Sequence, residues 1–474
     1  MPVEKQLKVP SKPRHMSPDE FRKNGYAVVD WIAAYLEDVE KYKVLPAVKP
    51  GEIASMMPDR APQSPETFTE LLADLDRVVM PGITHWQSPN WFAYFPANTS
   101  PPSILAEFVA AGLGVQGMLW STSPAVTEVE LRVLDWLVEM LGLPQSWKSD
   151  GPGGGVIQMS ASDATHAVLV VARHQRRDMA RSEDMVVYVS DQAHSSIEKG
   201  CTVAGIGHCR KIETDSMFAM DIESLEASIA ADVSAGRTPI AVVSAVGTTA
   251  TTAVDPIRAI DVIAKQFNMW HHVDAAYAGT AMVCPEFRHL QDGVEQVDSY
   301  TFNPHKWMMV NFDCNVLWVA DREPLIDTMS ILPAYLRNEA TDSGAVVDYR
   351  DWHVPLGRRF RALKLWWVIR SYGVEGIQGL VRKHVQLAEE FAKWIDADNR
   401  FELYAPHPFS LVCFSHVNGS KATKRLAAAL NASGKVAVTP SVIDGRLFIR
   451  VSIGQTQTGE KHVNQLVALI DKYS

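Results

Sequence analysis

The sequence predicts an α/β fold with a largely parallel sheet, a helical segment before it and a small α+β domain after it. Three observations predict this. Short β-branched runs alternate with helical periodicities through the middle of the chain. No strand pattern precedes about residue 100. Beyond about residue 400, strands, a helix and a tight hairpin succeed one another. A chain of 474 residues is in any case too long for a single core.

The elements follow in order. The first residues are rich in Lys and Pro and read as an arm. Ser17-Pro18-Asp19-Glu20 then supplies an N-cap, a proline at the first helical position and a capping-box glutamate. Phe21, Val28, Ile32 and Leu36 continue a helical stripe. Pro- and Ser-rich connections run from Pro58 to Pro65. This segment has too few apolar faces to stand alone, so it is expected to pack on a second subunit. In the middle, strands are expected over Val186–Ser190, Ile240–Val246, Trp270–Val273, Ser299–Phe302 and Val316–Ala320. Helices such as Ala164–His174 and Pro256–Phe267 separate them. Ligands of such domains bind beyond the carboxyl ends of the strands. Two long helices come next. Leu356, Phe360, Leu363 and Trp367 share a face of the first, which ends near Gly373; Leu380, His384, Leu387 and Phe391 share a face of the second. A strand over Glu402–His416, a helix, a hairpin turned at Asp444-Gly445 and a last helix from Gly459 complete the chain. The expected divisions are residues 1–100, a helical dimerisation segment, 101–363, the large α/β domain, and 364–474, the small α+β domain.

Composition excludes several classes of function. Hydrophobic residues make up 47% and charged residues 21%, an ordinary globular balance. A formal charge of -10 argues against a nucleic-acid partner, which needs a basic face. The basic run Arg358-Arg359-Phe360-Arg361 reads as an ion-pair cluster or a solvated helix face. The five cysteines are scattered without CxxC spacing, which fits neither a disulfide framework nor a zinc site. The N-terminus has no apolar h-region, and no apolar run approaches a membrane span. The expectation is a cytoplasmic protein with no metal and no membrane partner.

Three stretches carry chemistry. In GGGVIQMSASDATHAVLVVAR (Gly153–Arg173), glycines precede a short apolar run and Ser160-Ala161-Ser162-Asp163 opens a helix. Free N–H groups and hydroxyls at a helix start suit a phosphate, although an ordinary Ser cap would look the same. In HHVDAAYAG (His271–Gly279), Asp274 ends an apolar run and small residues follow, so that a flat ligand can approach the backbone. In FNPHKWMMVNFDC (Phe302–Cys314), Lys306 sits in an apolar setting where lysine is rarely found. Its ammonium can snorkel to water, pair with a carboxylate or act as a desolvated nucleophile. A phosphate-binding helix start, a buried Asp and then a Lys after a later strand together describe a pyridoxal-phosphate site.

The chain resembles the pyridoxal-phosphate-dependent group II decarboxylases, most closely the aromatic-L-amino-acid decarboxylases. The resemblance covers nearly the whole chain. It rests on HWQSPNWFAYFP (His85–Pro96), the GGGVIQ and SAS segments, SDQAHSS (Ser190–Ser196), GTT (Gly247–Thr249), HVDAAYAG, NPHKW with NFDC, DSG with DYRDWHVPLGRRFR (Asp342–Arg361) and RKHVQLAEEF (Arg382–Phe391). It implies a fold-type I enzyme with a mainly parallel, seven-stranded-type large domain, working as a homodimer with active sites at the interface. Carried over position by position, it implies that Ala161 and Ser162 hold the phosphate, with Asn303 and His305 nearby. His194 then stacks on the pyridine ring, Thr249 sits near the ring substituents, Asp274 pairs with the ring nitrogen and Ala276 touches the ring face. Lys306 carries the cofactor covalently. Trp86, Tyr94, Phe95, Pro96 and Ala97 line the aromatic pocket with His194, while Gln116 and Met118 cross from the second subunit.

The polar, Gly-containing stretch after Tyr335 reads as a loop. By resemblance it is a catalytic lid whose tyrosine protonates the α-carbon once carbon dioxide has left. Related aldehyde synthases typically replace this tyrosine with phenylalanine or alter the stacking histidine, and here Tyr335 and His194 are both present. That implies decarboxylation of an aromatic L-amino acid (tryptophan, phenylalanine, tyrosine or DOPA) to the arylalkylamine; the alternatives are an aldehyde synthase or another amino-acid preference such as histidine. Gly357 stands where some relatives carry serine, leaving room for a large ring. Ala97, Gln116 and Met118 depart from the usual pattern of the animal enzymes, as does Met159 before SAS.

Overall fold

The computed structural model describes residues 15–330 and 346–474. They fall into two units, one ending at His85 and the other beginning at Trp86. In the first, helix Pro18–Asp38 starts at the expected capping box: Ser17 Oγ accepts the N–H of Glu20 at 3.2 Å, and the Glu20 carboxylate accepts the N–H of Ser17 at 2.8 Å. No residue of this helix is buried, and Phe21, Tyr26 and Val29 are exposed. Of its apolar stripe, Val28, Ile32 and Leu36 are half-buried and Phe21 is exposed, so its own unit covers the stripe only in part.

The second unit is built on a seven-stranded sheet of β1 (Gly154–Gln158), β2 (Met185–Ser190), β3 (His208–Ile212), β4 (Thr238–Ala245), β5 (Trp270–Asp274), β6 (Ser299–Phe302) and β7 (Asn315–Val319). Their spatial order is β1-β7-β6-β5-β4-β2-β3. Strands β3, β2, β4, β5 and β6 run parallel, and β7 is antiparallel to both of its neighbours. The period of two along a strand sends alternate side chains to opposite faces. Val187 and Val189 accordingly join the cluster containing Val168 and Leu169 of helix Ala161–Gln175. Val186 and Tyr188 join the one containing Ile260 and Ile263 of helix Ile257–Gln266. The β-branched runs of the sequence correspond to β2, β4, β5, β6 and β7. Strand β3 was not legible, because HCRKI is a polar edge strand with only Ile212 buried.

Helix Arg361–Ala397 is two helices joined at Gly373, where φ 64° and ψ 171° lie in territory that only glycine occupies without strain. This is the break expected there. Leu356, however, is not on the helix: it precedes it and is exposed, while Phe360 and Leu363 are buried. A second, antiparallel sheet follows, of β8 (Phe401–Leu403), β9 (Leu411–His416), β10 (Thr439–Ile443) and β11 (Arg446–Ser452), in the order β10-β11-β9-β8. The single strand expected over Glu402–His416 is thus two strands, since Pro406 and Pro408 between them cannot donate to a ladder. Asp444 and Gly445 turn the β10–β11 hairpin with positive φ at both positions, 50° and 75°. Among the described residues, no helix is long and apolar enough to cross a membrane.

Candidate active site

The carboxyl ends of four parallel strands, together with the helix start after β1, meet at a cavity of about 180 Å³. This is where an α/β sheet places a ligand. Beyond β1, Ser160 caps helix Ala161–Gln175 by accepting the N–H of Asp163 at 3.2 Å. The N–H groups of Ala161 and Ser162 in the first turn have no carbonyl four residues back to meet. Both residues line the cavity.

Beyond β2 lies His194. Its Nδ1 accepts the backbone N–H of Ser196 at 3.1 Å and faces Ser196 Oγ at 2.8 Å, so the ring proton sits on Nε2. Loss of solvent around the ring lowers its pKa; Asp274 opposes that shift and Lys306 adds to it. Beyond β4, Gly247 has φ +85°, and a Cβ there would come within 2.7 Å of the Ala278 Cβ. That tight turn delivers Thr249 to the cavity wall. Arg450, buried on β11, holds the same loop from behind: its Nε donates to the Ala250 carbonyl at 2.9 Å and its Nη2 to the Thr249 carbonyl at 2.7 Å.

Asp274 ends β5, and its Oδ1 accepts the N–H of Ala276 at 2.9 Å. Beyond β6 come Asn303, His305 and Lys306, all lining the cavity. His305 Nδ1 accepts the N–H of Cys314 at 3.0 Å, and its ring stacks on Phe312 at 3.9 Å. Burial pushes the His305 pKa down to about 3, with the Lys306 charge adding to the effect. The neutral ring therefore carries its proton on Nε2. Lys306 Nζ lies 5.4 Å from the centre of the Phe95 ring, which the Arg450 guanidinium approaches to 5.1 Å. Burial lowers the Lys306 pKa, Asp274 opposing and Arg450 reinforcing that shift. Lys306 is thus a desolvated amine facing a cavity, not a snorkelling one.

The cavity brings together Ala161, Ser162, His194, Thr249, Asp274, Ala276, Asn303, His305 and Lys306, which are all the residues expected around a cofactor. Of the expected substrate residues it takes in Phe95 and His194. The others lie elsewhere on the chain. Trp86 packs tilted against Trp91 at 4.2 Å and stacks on Tyr94 at 5.7 Å, and Tyr94 is exposed. Pro96 lies against Gly454, and the Ala97 carbonyl accepts from Gln87 at 2.6 Å. Gln116 Oε1 accepts the N–H of Arg358 at 2.7 Å, beside Gly357; the Met118 carbonyl accepts the N–H of Arg350 at 3.0 Å. Tyr335 lies outside the described residues. Two contributors had not been singled out in the sequence, Arg450 and Ser196. A cation inside the alternating strand RLFIRVS was a signal for the first; the second had none beyond its place in SDQAHSS.

Chemically, the cavity lining offers hydrogen-bond donors, a carboxylate, a flat imidazole and a desolvated amine. That set suits a phosphorylated heteroaromatic aldehyde: an anion for the donors, a basic ring nitrogen for Asp274 and a carbonyl for Lys306. Residues 50–417 match the model of the pyridoxal-dependent decarboxylase conserved domain. The chain is 45% identical over 464 residues to tyrosine decarboxylase 2 of Narcissus pseudonarcissus, covering 95% of this chain and 93% of that protein. It is 44% identical to a phenylacetaldehyde synthase of Arabidopsis thaliana, covering 96% of each. The crystal structure of Oryza sativa TDC with PLP and tryptamine superposes with a TM-score of 0.95 at 40% identity, covering 98% of this chain and 99% of that one.

Proposed function

Because the chain belongs to the pyridoxal-dependent decarboxylase family, we propose that it removes the α-carboxylate of aromatic L-amino acids, releasing carbon dioxide and the arylalkylamine. Pyridoxal 5'-phosphate is its cofactor. When bound, it supplies the electron sink for the pair left behind by the departing carboxylate. The observation that carries the reading is the meeting of Lys306, Asp274 and His194 in one cavity. The aromatic class is supported by relatives whose names specify tyrosine and phenylacetaldehyde and by the similar structure solved with tryptamine.

In this reading Ala161, Ser162, Asn303 and His305 hold the phosphate. Asp274 keeps the ring nitrogen protonated, His194 and Ala276 bracket the ring, and Thr249 lies along its edge. Lys306 would hold the cofactor covalently through its amine; its lowered pKa leaves a larger fraction neutral and so nucleophilic. Tyr335 gives a proton to the α-carbon. The working unit is a homodimer in the cytoplasm. A second copy supplies Gln116 and Met118 to a pocket formed with Trp86, Tyr94, Phe95, Pro96 and Ala97, and Gly357 leaves room for a ring as large as indole. The presence of both Tyr335 and His194 favours simple decarboxylation over the oxidative route of an aldehyde synthase.

The test is a product assay. Purified protein with added pyridoxal phosphate is incubated separately with L-tryptophan, L-phenylalanine, L-tyrosine, L-DOPA and L-histidine, and amine, carbon dioxide, aldehyde and peroxide are quantified. Amine and carbon dioxide in equal amounts are expected from the aromatic substrates. Aldehyde with peroxide as main products overturns the role given to Tyr335, and turnover of histidine alone overturns the aromatic class.

A further inference from the structure

Asn315 opens β7, fully buried behind the cavity wall. Its Nδ2 lies 2.8 Å from Thr301 Oγ1, 3.0 Å from the Phe302 carbonyl and 2.8 Å from Asn303 Oδ1. Two of these partners fix which way the amide faces. A backbone carbonyl can only accept. Thr301 Oγ1 gives its own hydrogen to the Val316 carbonyl at 2.8 Å and so is also an acceptor here. Asn315 must therefore turn its N–H2 this way, its two hydrogens shared among three acceptors, and because an amide nitrogen does not accept, the atom it meets on Asn303 is oxygen. The N–H2 of Asn303 is left for the cavity that Asn303 lines.

The Asn315 oxygen, by contrast, is buried with no partner among the described residues. An unmet buried acceptor is costly. Its retention is explained by what the other end of the amide does. The preceding residue performs the same service for His305, since the Cys314 N–H occupies Nδ1 and leaves the Nε2 hydrogen free. From behind, this one strand start thus occupies the acceptor atoms of both side chains.

We propose that Asn315 is a positioning residue: it locks the Asn303 amide with its donors toward the cavity and so makes that end of the site a donor-only cradle for the cofactor's phosphate. The inference rests on the proposed placement of the phosphate beside Ala161, Ser162, Asn303 and His305. It assigns the discrimination between a phosphorylated and an unphosphorylated cofactor to a residue that touches neither.

The test titrates the full-length chain, stripped of cofactor, with pyridoxal phosphate and separately with pyridoxal, which lacks the phosphate. Wild type is compared with Asn315→Asp and Asn315→Ser. In N315D the introduced carboxylate accepts from the Asn303 N–H2, so that amide turns its oxygen toward the phosphate. The dissociation constant for pyridoxal phosphate is expected to rise about tenfold to a hundredfold, the scale of a lost charge-assisted bond, while that for pyridoxal changes less than about twofold. N315S, too short to reach Asn303, is expected to lose part of the same discrimination, and it decides the matter alone if N315D does not fold. A preference for pyridoxal phosphate retained at the wild-type level, or an equal weakening of both ligands, overturns the role of Asn315. A wild-type chain that binds both ligands equally overturns the phosphate placement instead.

Discussion

At Lys306 two effects oppose one another. Burial disfavours the ammonium, and the Asp274 carboxylate favours it, with burial the larger. The aromatic face of Phe95 offers a cation some compensation without fixing it as a close ion pair would. An amine in that balance reacts with a carbonyl at a pH where an exposed lysine is almost wholly protonated. Lys306→Ala is expected to abolish both turnover and the visible absorbance of the covalently bound cofactor, with the fold intact by circular dichroism. Retained turnover would sink the assignment of the lysine. This residue and Asp274 were legible in the sequence because each breaks a local rule, a charge placed where apolar residues surround it. Arg450 breaks the same kind of rule, yet its meaning depends on meeting the Thr249 and Ala250 carbonyls, partners far away in the chain that no local pattern names.

Among the elements, those governed by local chemistry matched the expectation best. The capping box at Ser17, the glycine before helix Glu460–Tyr473 and the hairpin at Asp444-Gly445 each follow from short-range backbone rules. Strand β3 and the division of the stretch after residue 400 into β8 and β9 follow instead from neighbours in the sheet. The kink at Gly373 gives a sharp comparison of the two kinds of glycine. Gly373→Ala forces a side chain onto φ 64°, ψ 171° and is expected to destabilise the chain by about 1–3 kcal/mol. Gly379→Ala lies within the following helix, where an added Cβ meets nothing within 4 Å, and is expected to stabilise by about 0.5–1 kcal/mol. Urea unfolding of the two variants measures the difference; equal shifts would mean that the kink carries no conformational demand.

At the scale of the whole molecule, helix Pro101–Leu113 exposes Leu105, Val109 and Leu113 along one stripe, at 47%, 40% and 57%. The homodimer proposed above would give that stripe a partner. Changing Leu105 and Leu113 together to Asp is expected to yield monomers by light scattering and to remove activity; an active monomer would contradict the shared site. Acid sets a second molecular limit. Burial pushes His305, His353 and His384 down to about 3 and His272 to about 4. Unfolded histidine takes up a proton near 6.5, so below that pH the unfolded chain binds protons that the folded chain refuses, and stability falls as pH drops toward these folded values. Each such group contributes a slope of about 1.4 kcal/mol per pH unit in that window. His384 accepts the indole N–H of Trp307, the residue after Lys306, at 2.9 Å. His384→Gln keeps an acceptor there and is expected to remove one proton's worth of the slope between pH 6 and 4, read from denaturation midpoints; an unchanged slope would show that His384 does not contribute. The same large scale gives the polar strand β3 a meaning of its own. It is the open margin of the seven-stranded sheet, while the opposite margin, β1, is buried at every residue. On β3, Arg210 is tied to Asp232 at 2.8 Å and Lys211 to Glu198 at 3.0 Å. A foreign strand adding there would have to displace anchored charges, so the sheet resists growing from chain to chain into insoluble aggregates even when the protein is crowded.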